Sequence, residues 1–225
     1  MQLETKARDA DSDPAAAGDV VIRDTLAYTV GKRVFDLAIG LLVFGLVTPI
    51  LPLIALMIKL DSPGPVFYRQ ERVGRGGRPF RFYKFRSMYR ESDRRLDELQ
   101  SRNEQDGPIF KIKADPRITP VGQFLRRSSM DEIPQIINVL RGEMSIVGPR
   151  PPLPVEVARY QPWHRRRLDV KPGITCLWQI AGRSHIGFDE WMRLDMEYLR
   201  TRGLRTDVMI FARTLPAVMA RRGAY

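Results

Sequence analysis

The longest apolar stretch of the chain runs from Leu37 to Ile58 and contains two prolines, Pro49 and Pro52. A straight helix of this length would extend about 33 Å, enough to cross a bilayer core of about 30 Å. Each proline removes a backbone donor and pushes against the carbonyl four residues earlier, at Gly45 and Thr48. The hydroxyl of Thr48 is placed to satisfy carbonyls freed there. The pattern predicts a membrane segment broken at Thr48, Pro49 and Pro52.

Basic residues flank this stretch on both sides: Lys32 and Arg33 precede it, and Lys59, Arg69 and Arg72 follow it. Basic residues near membrane segments favour the cytoplasmic side. A single span would place one cluster on the wrong side, whereas a re-entrant segment, which enters and leaves by one leaflet, keeps both inside. We therefore expect a re-entrant helix–break–helix. A plain transmembrane helix and a buried helix of a soluble core are the alternatives.

The remaining polar and apolar pattern divides the chain into three parts. Residues 1–27 are rich in Asp, Ala and Pro, and we predict a disordered tail. Residues 28–60 form the membrane segment, and residues 61–225 form the domain beyond it. Aromatic and β-branched residues on either side of a glycine-rich turn at 74–77 predict a small β-hairpin. The expected fold class is α+β and mainly helical.

Three further stretches of this domain have helical periodicity. Ser128 to Leu140 carries an apolar stripe and predicts a helix with Gly142 as its C-terminal cap. Residues 188–199 and 208–219 predict amphipathic helices. Trp163, Trp178 and Trp191 lie nearby, beside the bases Arg165 to Arg167, which is typical of helices in a membrane interface. Ordinary core tryptophans are the alternative interpretation.

Charge and composition narrow the partners. The net charge of +11 and the pI near 10.2 indicate an anionic partner, and a chain with a membrane segment makes anionic lipid the first choice. The single cysteine, Cys176, excludes an internal disulfide and fits a reducing compartment. The two histidines, His164 and His185, have no metal-ligand spacing.

Asp131 and Glu132 are the first candidates for chemistry, in the first turn of the predicted 128–140 helix. One interpretation is structural, because Ser129 and Glu132 match a capping box. The other is catalytic: the helix N-terminus would keep Asp131 ionised beside a bound phosphate that it attacks. Glu132 would then bind Mg²⁺, which takes one or two carboxylates together with substrate phosphates.

Cations that could hold phosphates lie at several points of the sequence. Lys84 and Arg86 occupy alternate positions of a predicted strand, and Arg126 leads into the helix. Arg150 is framed by Pro149 and Pro151, so it loses little entropy on binding phosphate. For all but Arg150, a solvated surface charge is the simpler interpretation.

In several segments the chain resembles the bacterial sugar transferases, the monotopic polyprenyl-phosphate phosphoglycosyl transferases. The resemblance covers roughly residues 31–225, with the segments in the family's order. The matching segments are Lys32–Asp36, Gly64–Phe67, Lys84–Met88, Asp115–Thr119, Arg126–Gln135, Asn138–Pro151, Lys171–Thr175 and Trp178–Gln179.

The resemblance implies a reaction: transfer of a sugar 1-phosphate from a UDP-sugar to undecaprenyl phosphate, with release of UMP, to begin exopolysaccharide or a related glycan. It implies Asp131 as the nucleophile of a covalent phospho-sugar intermediate and Glu132 as the ligand of Mg²⁺. Basic positions around the phosphates carry over by position to Lys84, Arg86, Arg126 and Arg150. Asp115, Gln179 and Arg183 are further candidates for binding the nucleotide or sugar.

The resemblance also implies the setting. We expect the bacterial inner membrane, with the catalytic domain on its cytoplasmic face, no nucleic-acid partner, and a homodimer and downstream glycosyltransferases as further partners. Galactose or glucose is the expected sugar. Longer members carry an additional N-terminal membrane domain, and we expect this chain to be the minimal catalytic form. Met130 and Cys176 depart from the family's usual Leu and Gly. An inactive scaffold and a membrane-tethered nucleic-acid binder are the alternatives.

Overall fold

The computed structural model describes residues 22, 24–92, 97–104, 106–110, 112, 114–181 and 186–219. Most of the predicted disordered tail, residues 1–27, therefore lies outside the described residues. Arg183 lies outside them as well. The described part is mainly helical with two small sheets, in agreement with the expected α+β class. The helices are α1 Leu26–Val47, α2 Leu51–Asp61, α3 Pro120–Arg127, α4 Ile136–Arg141, α5 Pro154–Ala158, α6 Leu177–Ala181, α7 Phe188–Thr201 and α8 Leu204–Met219.

The apolar stretch forms two helices joined by one 3₁₀ turn, Thr48–Ile50. The Phe44 carbonyl accepts hydrogen bonds from both the backbone N–H and the hydroxyl of Thr48, the latter at 2.7 Å, while Pro49 has no N–H for the Gly45 carbonyl. Together the pieces make an apolar helical segment, Leu26–Asp61, long enough to cross a membrane, and little of it is buried in the protein. Length and composition thus support membrane association, without fixing a topology.

The predicted hairpin is present. Strand β1 (Phe67–Val73) pairs antiparallel with β2 (Pro79–Phe85), and a turn at Arg75–Gly77 joins them. Gly76 and Gly77 both have positive φ in that turn, which explains the glycine-rich sequence. A second sheet has two short parallel strands, β3 (Ser145–Val147) and β4 (Gly173–Thr175), which the sequence analysis did not identify.

The predicted 128–140 helix is wrong in its first half. Residues Met130–Gln135 form a 3₁₀ helix, and the α-helix α4 begins only at Ile136. Pro134 explains the division, because it has no N–H to donate within an α-helix. The end was predicted correctly: Gly142 terminates α4 in the left-handed conformation, with φ of 80°.

The main core packs the hairpin, α4 and the β3–β4 sheet against α7 and α8. Its buried apolar residues are Phe82, Ile136, Val139, Met144, Ile146, Val147, Val170, Met196, Tyr198, Leu199 and Ile210. Trp191 is only 6% exposed and packs against Phe188, and Arg167 is buried as well. The interfacial interpretation of this aromatic and basic segment is therefore wrong for Trp191 and Arg167, which are core residues.

Helix α1 is joined to the domain by its polar residues. Lys32 forms an ion pair of 2.8 Å with Asp207, which is fully buried on α8. Arg33 donates to the carbonyls of Val139 and Leu140 at the end of α4. The charged residues before the apolar stretch therefore bind protein groups.

Asp36 extends this attachment to the second sheet. Its carboxylate accepts hydrogen bonds from the Ser145 hydroxyl and the Ile146 backbone N–H, at 2.8 and 2.9 Å. Both donors belong to β3, so helix α1 helps to hold a strand of the domain.

Candidate active site

The two candidate carboxylates lie in the 3₁₀ helix Met130–Gln135, directly after a strained residue. Ser129 adopts the left-handed conformation with φ of 56°, which is uncommon for a residue other than glycine. Its side chain makes no capping hydrogen bond, and its backbone N–H donates to the Arg126 carbonyl. The capping-box interpretation of Ser129 and Glu132 is therefore wrong. The left-handed turn at Ser129 instead leads into the 3₁₀ helix, in which Asp131 is buried.

Lys84 on β2 joins the two carboxylates. Its ammonium lies 2.7 Å from an oxygen of Glu132 and 3.4 Å from an oxygen of Asp131. Asp131 is the deeper of the two, whereas about a third of the Glu132 side chain is exposed. One cation thus holds two carboxylates in different environments.

Burial raises the pKa of Asp131. The charges of Lys84 and Arg126 act in the opposite direction, while the neighbouring Glu132 raises the pKa further. Asp131 lies in a short 3₁₀ helix and not at the predicted α-helix N-terminus, and burial dominates its pKa. Asp131 depends on nearby cations to remain ionised.

Arg126 projects from α3 toward this group. Its Nε donates a hydrogen bond of 2.9 Å to the Ser87 hydroxyl. Burial lowers the pKa of Arg126, and the negative charges of Asp131 and Asp115 oppose that effect. The guanidinium of an arginine nevertheless stays charged in proteins at neutral pH. Arg126 therefore adds a second positive charge beside Asp131, and its binding of phosphate stays a prediction.

Two other predicted binding residues have internal partners. The Arg86 guanidinium donates to the carbonyls of Ile58, Ser62 and Pro63, and so caps the end of α2. In this arrangement Arg86 anchors the membrane segment, a role that the strand pattern did not indicate. Both carboxylate oxygens of Asp115 accept hydrogen bonds from Arg117.

The pairing of Asp115 affects its protonation. Burial alone would raise the pKa of Asp115, but the hydrogen bonds and charge of Arg117 outweigh it and lower the pKa. Asp115 is therefore a buried, paired carboxylate, and its arrangement favours a structural role over direct contact with a nucleotide or sugar.

Arg150, unlike Arg86 and Asp115, has a charged group without such a partner in the described part of the chain. Its guanidinium carbon lies 5.7 Å from the centre of the Trp191 ring. Among the described residues, the guanidinium forms no hydrogen bond or ion pair. Gln179, on α6, lines the same cavity as Arg150. Arg183 lies outside the described residues.

Arg72 is a further residue of this cavity that the sequence pattern did not single out. Arg72 is buried on β1, with its guanidinium 5.3 Å from the centre of the Phe82 ring, on which the Lys84 ammonium also lies. Burial and the charge of Arg150 lower the pKa of Arg72 to about 10. The strand period carried a signal, because Tyr68, Gln70 and Arg72 occupy alternate positions of β1 and all three line the cavity.

These residues surround one large open cavity of about 1210 Å³. It brings together most of the predicted site: Lys84, Arg86, Asp115, Arg126, Asp131, Glu132, Arg150 and Gln179. Ile39 and Val43 of α1 line it as well. The cavity thus joins buried carboxylates, a set of cations and the apolar membrane segment.

The carboxylates fit a metal ion that is shared with a substrate. Among the residues that the structure describes, no group of three or more His, Cys, Asp or Glu side chains forms a preformed metal cage. Glu132 supplies a hard oxygen donor on the cavity wall beside Asp131, and Mg²⁺ takes as few as one carboxylate when substrate phosphates complete its shell.

Comparison with known proteins identifies the family. The sequence model described as "Bacterial sugar transferase" matches residues 27–221, so the chain belongs to the bacterial sugar transferase family. The resemblance found in the sequence motifs is thereby confirmed.

Three relatives show how the match is distributed. The "Galactosyl transferase CpsE" of Streptococcus agalactiae is 44% identical over 88% of this chain and 44% of its own length. The "Undecaprenyl-phosphate galactose phosphotransferase" of Salmonella typhimurium is 40% identical over 86% of this chain and 41% of its own length. The "Exopolysaccharide production protein ExoY" of Sinorhizobium fredii is 38% identical over 87% of this chain and 88% of its own length. The chain thus spans less than half of the first two relatives and most of the third.

Proposed function

We propose that this protein transfers a hexose 1-phosphate, of galactose or glucose, from a UDP-sugar to undecaprenyl phosphate, releasing UMP and starting exopolysaccharide or a related glycan. The observation that carries the proposal is the buried Asp131 beside Lys84, in a cavity lined by Arg126, Arg150 and the membrane helix α1. Two relatives named for galactosyl or galactose phosphate transfer, one of them to undecaprenyl phosphate, support the choice of substrates.

The proposed reaction has two displacements at one phosphorus atom. An Asp131 carboxylate oxygen attacks the β-phosphorus of the UDP-sugar, the bond from that phosphorus to the bridging oxygen breaks, and UMP leaves with the electron pair. A phosphate oxygen of undecaprenyl phosphate then attacks the same phosphorus and displaces Asp131. The product is undecaprenyl diphosphate sugar, and the carboxylate is restored.

The surrounding side chains have separate roles in this scheme. Lys84 and Arg126 keep Asp131 ionised and, with Arg150, stabilise negative charge on the phosphates. Glu132 would hold Mg²⁺ together with the substrate diphosphate. When bound, this ion supplies a positive charge that neutralises the leaving phosphate. The ion pair of Glu132 with Lys84 would loosen as phosphates enter.

We also propose that the membrane segment is re-entrant. Both arms pack against the domain: Val43 of α1 on the main core, and Leu51 of α2 on a cluster that includes Ile58 and Leu125. Only residues 44–50 separate those contacts, about 10 Å of helix, whereas a bilayer core is about 30 Å thick. A segment attached to the domain on both sides of so short a gap supports entry and exit by one leaflet.

The exposed apolar residues support the same placement. On α1 they include Val34, Leu42 and Leu46, and on α2 they include Leu53 and Leu60. Isolated apolar side chains are common on protein surfaces, but a run along two successive helices is typical of contact with lipid. With its basic flanks, this surface supports our proposal that the cavity lies at the cytoplasmic face of the inner membrane, where an acceptor lipid would reach it beside Ile39 and Val43.

The test of function is release of UMP. We expect the detergent-purified protein to release UMP from UDP-galactose or UDP-glucose only when undecaprenyl phosphate and Mg²⁺ are both present. Asp131→Asn should lower the rate by at least about a thousandfold, because it removes the nucleophile. A wild-type protein without UMP release would favour an inactive scaffold, and normal turnover by Asp131→Asn would exclude the covalent route.

A further inference from the structure

The loop that carries Arg150 is fixed at every backbone carbonyl from Pro149 to Pro152. Each of the four carbonyls accepts a hydrogen bond of 2.9 to 3.0 Å. The donors are the Gly173 N–H for Pro149, the Arg167 guanidinium for Arg150, the Arg72 guanidinium for Pro151 and the Val73 N–H for Pro152. Two of the four donors are therefore the side chains of buried arginines.

Arg167 is the more unusual of these two donors. It is 2% exposed, and its guanidinium lies 2.7 Å from a carboxylate oxygen of Asp195 on α7, itself 1% exposed. It also donates to the Tyr160 hydroxyl at 2.6 Å and to the Arg150 carbonyl at 2.9 Å. A buried ion pair of this kind contributes little net stability compared with well-packed apolar residues. The presence of this ion pair therefore indicates a role other than stability.

The Arg150 side chain shares an aromatic neighbour with Arg167. The guanidinium groups of Arg150 and Arg167 both lie near the Trp191 ring, at 5.7 and 5.2 Å from its centre. Arg150 lines the cavity that contains Asp131. Its backbone is thus fixed by prolines and hydrogen bonds, while its charged end has no hydrogen bond or ion pair with another described residue.

We propose that Arg167, held by Asp195, is a positioning residue that fixes the backbone of Arg150 so that its guanidinium meets the substrate diphosphate. The inference rests on the proposed function, in which Arg150 binds phosphate. A cation that is already in place avoids the entropy of ordering on binding, and a displacement of about 1 Å costs up to about a hundredfold in rate. Arg72 holds the next carbonyl in the same way.

The test replaces the whole ion pair, so that no buried charge is left without a partner. The double variant Arg167→Met with Asp195→Leu keeps apolar volume at both positions and should fold, because such replacements are often neutral or stabilising. We expect its unfolding temperature to stay within a few degrees of wild type. Its dissociation constant for UDP should rise about tenfold, and kcat/KM for UDP-galactose should fall by a similar factor.

A double-mutant cycle separates positioning from general damage. If Arg167 acts through Arg150, the double variant should cause no further loss of UDP affinity in an Arg150→Ala background. Arg166→Met, which removes a neighbouring, half-buried partner of Asp169, is the matched control and should leave UDP binding unchanged.

Two results would overturn the inference: wild-type UDP affinity in the double variant, or losses that simply add to those of Arg150→Ala. Failure of the proposed function looks different, because the wild-type protein would then neither bind UDP nor release UMP. In that case the positioning role would have no substrate to serve and would fall with it.

Discussion

Single residues at this site are held in states that the chain would not adopt without its surroundings. Ser129 has a backbone conformation that costs a residue with a side chain roughly 1–2 kcal/mol. Asp131 is a buried carboxylate whose pKa is raised. Reactive groups in folded proteins are often kept in such unfavourable states, and their replacement commonly increases stability while activity is lost.

The raised pKa of Asp131 leads to a prediction on stability. Its ionised form is less favourable in the folded than in the unfolded chain, so this residue lowers stability as pH rises from an ordinary Asp pKa of about 3.9 through the folded pKa. We therefore expect Asp131→Asn to raise the unfolding temperature at neutral pH. Asp169→Asn, at an exposed position, is the control and should have little effect. A lower unfolding temperature for Asp131→Asn would contradict the prediction.

The same shift predicts the acid side of the activity profile. The nucleophile must be ionised, so kcat should fall with decreasing pH around a midpoint above the ordinary range for Asp. Lys84 lowers the pKa of Asp131, and Lys84→Met should therefore move that midpoint to still higher pH, whatever its effect on the maximal rate. Measurement of kcat against pH for both proteins checks this. An unchanged midpoint in Lys84→Met would show that another group controls the profile.

At the residue scale, candidate site residues could be named where the sequence itself carried the constraint. The prolines on either side of Arg150 and the adjacent acids Asp131 and Glu132 could be recognised without a structure. The internal partners of Arg86 and Asp115 could not be predicted, because a basic or acidic residue does not reveal its partner. The carbonyls that Arg86 binds, for example, lie more than twenty residues earlier in the chain.

Elements were predicted well where local chemistry decides them. The hairpin and the cap at Gly142 follow from turn and glycine signals, and the two last helices from their period. The β3–β4 sheet could not be predicted in this way. Its strands are very short, and residues far apart in sequence form the pair. The 3₁₀ helix around Asp131 was missed because the apolar stripe continues through Pro134.

The β3–β4 sheet depends on close backbone contact. A Cβ added at Gly173 would lie 2.1 Å from the backbone nitrogen of Gly148, a distance that no relaxed structure contains. We expect Gly173→Ala to destabilise the protein by several kcal/mol and to displace the neighbouring Arg150 loop. Gly203→Ala is the control, because nothing lies within 4 Å of its added Cβ. Denaturant unfolding of both variants checks the difference, and equal stabilities would contradict it.

At the scale of the whole molecule, the charge, the apolar surface and the cavity all support a protein that acts at a membrane. The net charge of +11 is attracted to anionic lipid, and the apolar faces of α1 and α2 are exposed. The cavity connects this surface to Asp131. Composition and hydropathy were enough to predict membrane association. The contacts of both α1 and α2 with one domain are what support a re-entrant topology.

Chemical labelling tests that topology. A cysteine introduced at Ala17 should react with a membrane-impermeant maleimide only after the inner membrane of intact cells is opened. Background from the native thiol should be low, because Cys176 is 1% exposed and burial raises its pKa. A second cysteine, at Arg166 on the domain surface, should behave identically. Labelling of the Ala17 cysteine in intact cells would show a single span.

The attachment of α1 through Lys32, Arg33 and Asp36 has a practical consequence. Removal of the membrane segment would leave Asp207 as a buried charge without its ammonium partner, and would take from Ser145 and Ile146 the carboxylate that they share. A water-soluble form of this protein therefore cannot be obtained by cutting off its anchor. Solubility would have to come from polar substitutions on the lipid-facing side of α1, with its inner face left as it is.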